Sequence, residues 1–190
     1  METSGIDHVT IRPSLVSQDW HGQHCYGCGP ENPHSLHADF NFDELTGEVR
    51  FDFQPPSFAL GAPGYVHGGV LASIMDEAQG VLCFHVGHVV MTDELHMKYH
   101  KATALDKPFR VRAWITAVRK RRMYTHGSVH SLEGELLVSS RAVWYLLPER
   151  IIQRMMYAEY HAEYDRIKAI IEANRRRAKN IRKRLRAEKK

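Results

Sequence analysis

The sequence predicts an α+β domain in which an antiparallel sheet curls round one central helix, with a helical extension at the C-terminus. Three observations lead there. Residues 36–53 and 89–147 alternate apolar and polar side chains with a period of two, the pattern of half-buried strands. Between them, residues 67–86 change to helical spacing with very little charge. From 151 onward Gly and Pro are absent and helix formers dominate.

In chain order, residues 1–34 show no period, and their Pro, Gly and Asn suggest loop with room for a short helix. Leu36, Ala38, Phe40 and Phe42 then alternate with His37, Asp39 and Asn41. After a turn at 43–47, Val49, Phe51 and Phe53 alternate with Glu48, Arg50 and Asp52, so 36–53 reads as a hairpin. Residues 54–66, with Pro55, Pro56, Pro63 and Gly64, form an irregular loop. In 67–86, Leu71, Ile74, Ala78 and Val81 keep helical spacing, while Gly68, Gly69, Ala72, Ser73 and Gly80 keep the helix slim. A surface helix would carry a charged stripe, so this one is expected to be wrapped. Strand-like stretches follow at 89–99, 109–118, 122–131 and 134–147, read as an antiparallel meander. One helix covers only one face of such a sheet, so the other face is polar or pairs with another subunit.

At 190 residues the chain fits one domain of about 150 residues plus an appendage, 1–150 and 151–190. The net charge of +4 conceals an asymmetry: 1–150 has 13 Lys+Arg against 17 Asp+Glu, and 151–190 has 13 against 5. The high pI therefore belongs to the extension and says little about the body. No apolar run is long enough for a membrane span. The N-terminus lacks the basic and apolar regions of a secretory signal. Three cysteines, an odd number, argue against a disulfide framework. A cytoplasmic location is the expectation.

The stretch Cys25-Tyr26-Gly27-Cys28 invites a zinc reading, with His21, His24, His34 and His37 as further ligands. His34-x-x-His37 is tighter than the usual ligand spacing, however, and His37 falls in the strand pattern. The cysteines are expected to be thiols packing the N-terminal loop, and Cys83 a core residue. No metal or redox cofactor is expected.

Four features resemble the hotdog-fold acyl-CoA thioesterases of the phenylacetate-pathway (PaaI-like) type. "CYGCGPENPHSLHADF" (25–40) resembles that family's Cys-rich entry into its first strand. "GAPGYVHGGVLASIMDEA" (61–78) resembles its His-Gly-Gly motif, with an Asp nine residues after the His. "VVMTDELHMKYHKA" (89–102) resembles the next strand, whose small hydroxyl residue faces the site. The order of strands and helix is the fourth. The likeness spans roughly 20–147. It departs where some relatives carry Asn or Gln about six residues before the His, here Gly61, and where Ser35 replaces a usual Gly.

The resemblance implies hydrolysis of an acyl-CoA thioester, and the residues suit that chemistry. A thioester carbonyl needs donors where negative charge develops and a base or nucleophile on the other side of the carbon. The amides at a helix N-terminus supply the donors. Gly68 and Gly69 let a substrate approach them closely, and the resemblance makes Gly68 the principal oxyanion donor. Asp76 is the candidate base or nucleophile. Thr92 stands where relatives place Ser or Thr and would orient water beside Asp76. His67 would shape the pocket as the loop enters the helix. Glu77, about 100° round the helix from Asp76, is expected to be solvated or paired with Lys or Arg.

Gly68 and Asp76 are eight residues apart, about 12 Å along one helix. One carbonyl cannot touch both, so two subunits must share the site, with helices antiparallel across a two-fold axis. A homodimer or homotetramer is expected, as the resemblance also implies. Arg119, Arg121 and Arg122, at a hairpin end, are candidates for the coenzyme A phosphates, against a reading as a solvated turn.

For 151–190, Met156, Tyr160, Tyr164, Ile167, Ile171, Ala178, Ile181 and Leu185 make an amphipathic helix, and 173–190 holds ten Lys or Arg against one Glu. Three readings compete: docking of its first half on the body or a symmetry mate, binding to an anionic membrane surface, or contact with nucleic acid. The leading expectation is an acyl-CoA thioesterase. A non-catalytic acyl-CoA sensor whose basic tail mediates interaction is the alternative.

Overall fold

The structure, a computed structural model, describes residues 24–159 and 164–187. The elements run β1 (Asn41–Asp43), β2 (Glu48–Phe53), a short 3₁₀ turn (Ser57–Ala59), α1 (Gly68–His85), β3 (Val90–Tyr99), β4 (Phe109–Arg119), β5 (Arg122–Ser131), β6 (Leu136–Leu146), α2 (Glu149–Glu159) and α3 (Tyr164–Ala187). Six antiparallel strands form one sheet in the order β1-β2-β4-β5-β6-β3. It is not a simple meander. The chain leaves α1 at the far side of the sheet, so β3 becomes an edge strand beside β6, and β4 returns to pair with β2.

The first strand is shorter than its alternation predicts. Leu36, Ala38, Phe40 and Phe42 are all buried, as expected, but the ladder covers only Asn41–Asp43. Before it, Leu36 N–H and Ala38 N–H bond to the carbonyls of Tyr26 and Gly27. His37 takes a left-handed conformation, with φ of +48°. The Cys-containing loop thus replaces a sheet neighbour there.

Helix α1 lies across the concave face of the sheet with Leu71, Ile74, Met75, Ala78, Val81 and Leu82 in the core. His67 starts it: its backbone is extended, and its Nδ1 accepts the Gly69 N–H at 2.9 Å. Gly87, at φ of +83°, ends it. The Gly87 N–H bonds to Phe84 O and the His88 N–H to Cys83 O, the paired bonds of a left-handed helix stop.

Helix α3 then packs on that end. Asn174 Nδ2 donates to Phe84 O at 3.0 Å and Arg175 Nε to Gly87 O at 2.8 Å, so α3 satisfies carbonyls at the C-terminal end of α1 and brings positive charge to its negative pole. Ile167 and Ile171 pack with Phe84, Val89 and Ile152, while Ala178 and Ile181 join the main core. Arg177 ion-pairs with Glu44 at 3.3 Å, and Arg184 donates to the backbone of the Glu44–Leu45 turn. Docking therefore extends well beyond the first half of the extension. Tyr160 and the Met156 side chain lie outside the described residues. Buried His85 stacks on Phe42 at 4.9 Å. Burial, and secondarily Arg177, lowers its pKa from 6.5 to about 3, so it stays neutral. Among the described residues no helix is long and apolar enough to cross a membrane.

One polar network lies under the helix. Gln79 Nε2 donates to Met75 O and Ser140 Oγ, and Gln79 Oε1 accepts from Thr125 Oγ1 at 2.7 Å. Thr125 Oγ1 in turn accepts from Trp144 Nε1 at 2.7 Å. Every polar atom of the buried amide is used, which fixes the indole of Trp144. Gln79→Leu strands the two hydroxyls in the core and is expected to lower unfolding stability by about 2–4 kcal/mol, read as a lower denaturation midpoint.

Candidate active site

The sequence places a carboxylate on a helix that packs into a core, and the structure shows where it points. Asp76 faces the gap between α1 and edge strand β3, where Thr92 Oγ1 donates to Asp76 Oδ1 at 2.9 Å. A bulge at Asp93, between Thr92 and Glu94, interrupts the ladder beside that pair. A cavity of about 390 Å³ opens there, lined in part by Asp76, Gly80, Phe84, Val90, Thr92 and Trp144. Gly80 lies one turn beyond Asp76, and an added Cβ would sit 3.4 Å from the Trp144 ring. A larger side chain at that position would fill the cavity. The arrangement is a hydroxyl-braced carboxylate in the wall of a trough of mixed polarity.

The other half of the expected constellation sits at the start of α1. The Tyr99 hydroxyl donates to Gly68 O at 2.8 Å. Among the described residues none accepts a hydrogen bond from the Gly68 N–H, which leaves it able to receive a ligand oxygen. Gly69 differs. Its N–H is taken by His67 Nδ1, so Gly69 is not a second donor as the sequence suggested. His67 is the cap that fixes the helix entry. Gly61 packs against it: a Cβ at 61 would lie 2.7 Å from His67 Cα. That contact leaves no space for the longer side chain some relatives carry there, so Gly61 supports the turn. Gly68 and Asp76 belong to the same continuous helix, about 12 Å apart by its rise.

The three arginines do not join this cluster. Met123 and Trp144 are buried against the helix side of the sheet, so their neighbours Arg122 and Tyr145 point to the opposite face. Arg122 Nε donates to Asp93 at 2.8 Å and Arg121 reaches the Tyr145 hydroxyl at 3.4 Å. Arg119 lines a separate cavity of about 450 Å³ that includes Glu94, His96, His126 and Arg141. Glu77 also departs from expectation. It is half-buried under the Cys25–Cys28 loop, within 3.7 Å of Cys25 Sγ. Sequence spacing gave no sign of that contact, because 52 residues separate the partners.

A single long helix wrapped by a curled antiparallel sheet, with the candidate residues on that helix and the adjoining edge strand, defines a hotdog-fold protein. Residues 63–138 match the family described as the thioesterase superfamily. Rat acyl-coenzyme A thioesterase THEM4 is 31% identical over 85 residues, which cover 45% of this chain and 36% of the relative. The chain thus spans little more than a third of that relative's length. A crystal structure of a thioesterase superfamily protein is 29% identical with a TM-score of 0.62, covering 65% of this chain and 60% of the other. The E. coli PaaI protein of the phenylacetic acid degradation operon is 14% identical with a TM-score of 0.51, over 54% of this chain and 74% of that one. That last likeness concerns the fold alone.

Proposed function

We propose that the protein hydrolyses acyl-CoA thioesters in a site shared by two subunits. The observation that carries this reading is the Asp76–Thr92 pair lining a cavity of about 390 Å³, with Asp76 on the same helix whose tip presents the Gly68 amide. The acyl group lies in the trough beside Gly80 and Trp144. The Gly68 N–H of one subunit binds the carbonyl oxygen as it gains charge. Asp76 of the other subunit acts on the carbonyl carbon, by direct attack or by taking a proton from water, and Thr92 holds its carboxylate in place. The carbon–sulfur bond breaks and the coenzyme leaves as thiolate and is protonated; on the water route the acyl group departs directly as the acid, and after direct attack water cleaves the acyl–Asp76 anhydride to release the acid and restore the carboxylate. Both routes use the same two groups from two chains, and the helix length makes at least a dimer necessary. Edge strand β3, largely exposed along its length, is the surface on which a second copy would sit. The cysteine count favours a reducing compartment, the cytoplasm. The acyl-CoA thioesterase relatives agree with the reaction class.

The direct test is thiol release from a panel of short, medium, long and aryl acyl-CoAs. A kcat/KM in the enzymic range, about 10⁴ M⁻¹s⁻¹ or more for at least one member, is the expected result. Tight acyl-CoA binding with no release above the blank would instead make the protein a sensor.

A further inference from the structure

Outside the candidate active site, one side-chain cluster has chemistry that the thioesterase reading does not use. We propose that Cys25, Cys28 and Glu77 form a binding site for a divalent cation of the zinc class, which clamps the Cys25–Cys28 loop onto helix α1 next to Asp76. The sequence pointed away from a metal because the nearby histidines were poorly spaced. The structure supplies a different third ligand. Each of the three residues offers a donor atom, and these atoms all lie within 4.8 Å of one another. Cys25 Sγ is 3.7 Å from Glu77 Oε1. A tetrahedral ion with metal–sulfur bonds of about 2.3 Å and a metal–oxygen bond of about 2.0 Å has sulfur–oxygen edges of about 3.5 Å and sulfur–sulfur edges of about 3.8 Å. The Cys25–Glu77 separation already matches such an edge closely, and the remaining separations lie within 4.8 Å.

The local fold holds them there. Gly29 N–H bonds to Cys25 O, and Tyr26 and Gly27 pair through their carbonyls with Leu36 and Ala38. Gly27 is the residue that lets the carboxylate in, since a Cβ would lie 2.5 Å from Glu77 Cδ. Cys28 is buried, while Cys25 and Glu77 are half-exposed, so a fourth position opens toward solvent and takes water. Two thiolates and a carboxylate suit a borderline-soft dication better than Mg²⁺ or Ca²⁺, which take oxygen ligands. Binding releases protons: both Cys–SH protons pass to solvent as the two sulfur–metal bonds form.

The test uses the full chain, untagged, reduced and stripped with a chelator, titrated with Co²⁺ and then Zn²⁺. One Co²⁺ per chain, near-ultraviolet thiolate-to-cobalt absorption that Zn²⁺ abolishes, and release of about two protons per ion are the expected results. Cys25→Ser and Glu77→Gln should each weaken Zn²⁺ binding at least roughly tenfold. The wild-type spectrum needs no variant to fold. Absence of the thiolate band with both thiols titrated as reduced, or unchanged affinity in Cys25→Ser, would overturn the proposal and leave a thiol-to-carboxylate hydrogen bond as the whole account of the cluster.

Discussion

Asp76→Asn lowers kcat for acyl-CoA hydrolysis by about 10²–10⁴-fold, with KM and melting temperature close to wild type. The replacement is isosteric. Its amide oxygen can still accept from Thr92 Oγ1, which bonds to Asp76 Oδ1 at 2.9 Å, so the strand–helix contact survives. What is lost is a group that can attack the carbonyl or take a proton from water. Because that role belongs to the transition state, the loss falls on kcat and not on KM. Thiol-release kinetics beside thermal denaturation separate this outcome from misfolding. An equal fall in stability would mean that Asp76 is a structural residue tied to β3.

Gly68→Pro gives the second large effect, a loss of about 10²–10³-fold in kcat, and it removes a single donor with little other change. Proline has no N–H, and at the first position of a helix that N–H has no partner within the helix, so the helix tolerates the change. The residue before a proline must be extended, and His67 already is, with φ of −62° and ψ of 136°. An added Cβ meets the Tyr99 ring at 3.5 Å, an ordinary contact. Helix content by circular dichroism should match wild type while turnover falls. Full activity in a folded Gly68→Pro protein would place the oxyanion donor elsewhere.

The fold was legible where the chemistry is local. The period-two runs gave β4 and β5 almost to the residue, and the low-charge helical stretch gave α1. Strand order was not legible, because alternation marks a half-buried strand but says nothing about its neighbour. The position of β3 beside β6 follows from where α1 delivers the chain. In the candidate site, Gly68 and Thr92 were proposed from the resemblance of their motifs, and helix rise alone set Gly68 about 12 Å from Asp76. Gly69 was misjudged, since a cap through the His67 ring depends on a rotamer that spacing does not encode. Glu77 meeting Cys25, and Gln79 tying Thr125 to Trp144, join residues far apart in the chain. Such pairs become visible only once the sheet has closed round the helix. The extension shows the same limit. Its amphipathic spacing was plain, but nothing in it named Gly87 and the Glu44–Leu45 turn as the surfaces it meets.

Subunit complementation tests the shared site most directly. Gly68→Pro and Asp76→Asn chains, each nearly inactive alone, are mixed, unfolded and refolded together, and mixed oligomers are confirmed by native mass spectrometry. Each mixed dimer pairs an intact Gly68 with an intact Asp76 in one of its two sites, so an equal mixture should regain about a quarter of wild-type activity. Mixed dimers that form but stay as inactive as their parents would show that the amide and the carboxylate do not serve one carbonyl across two chains.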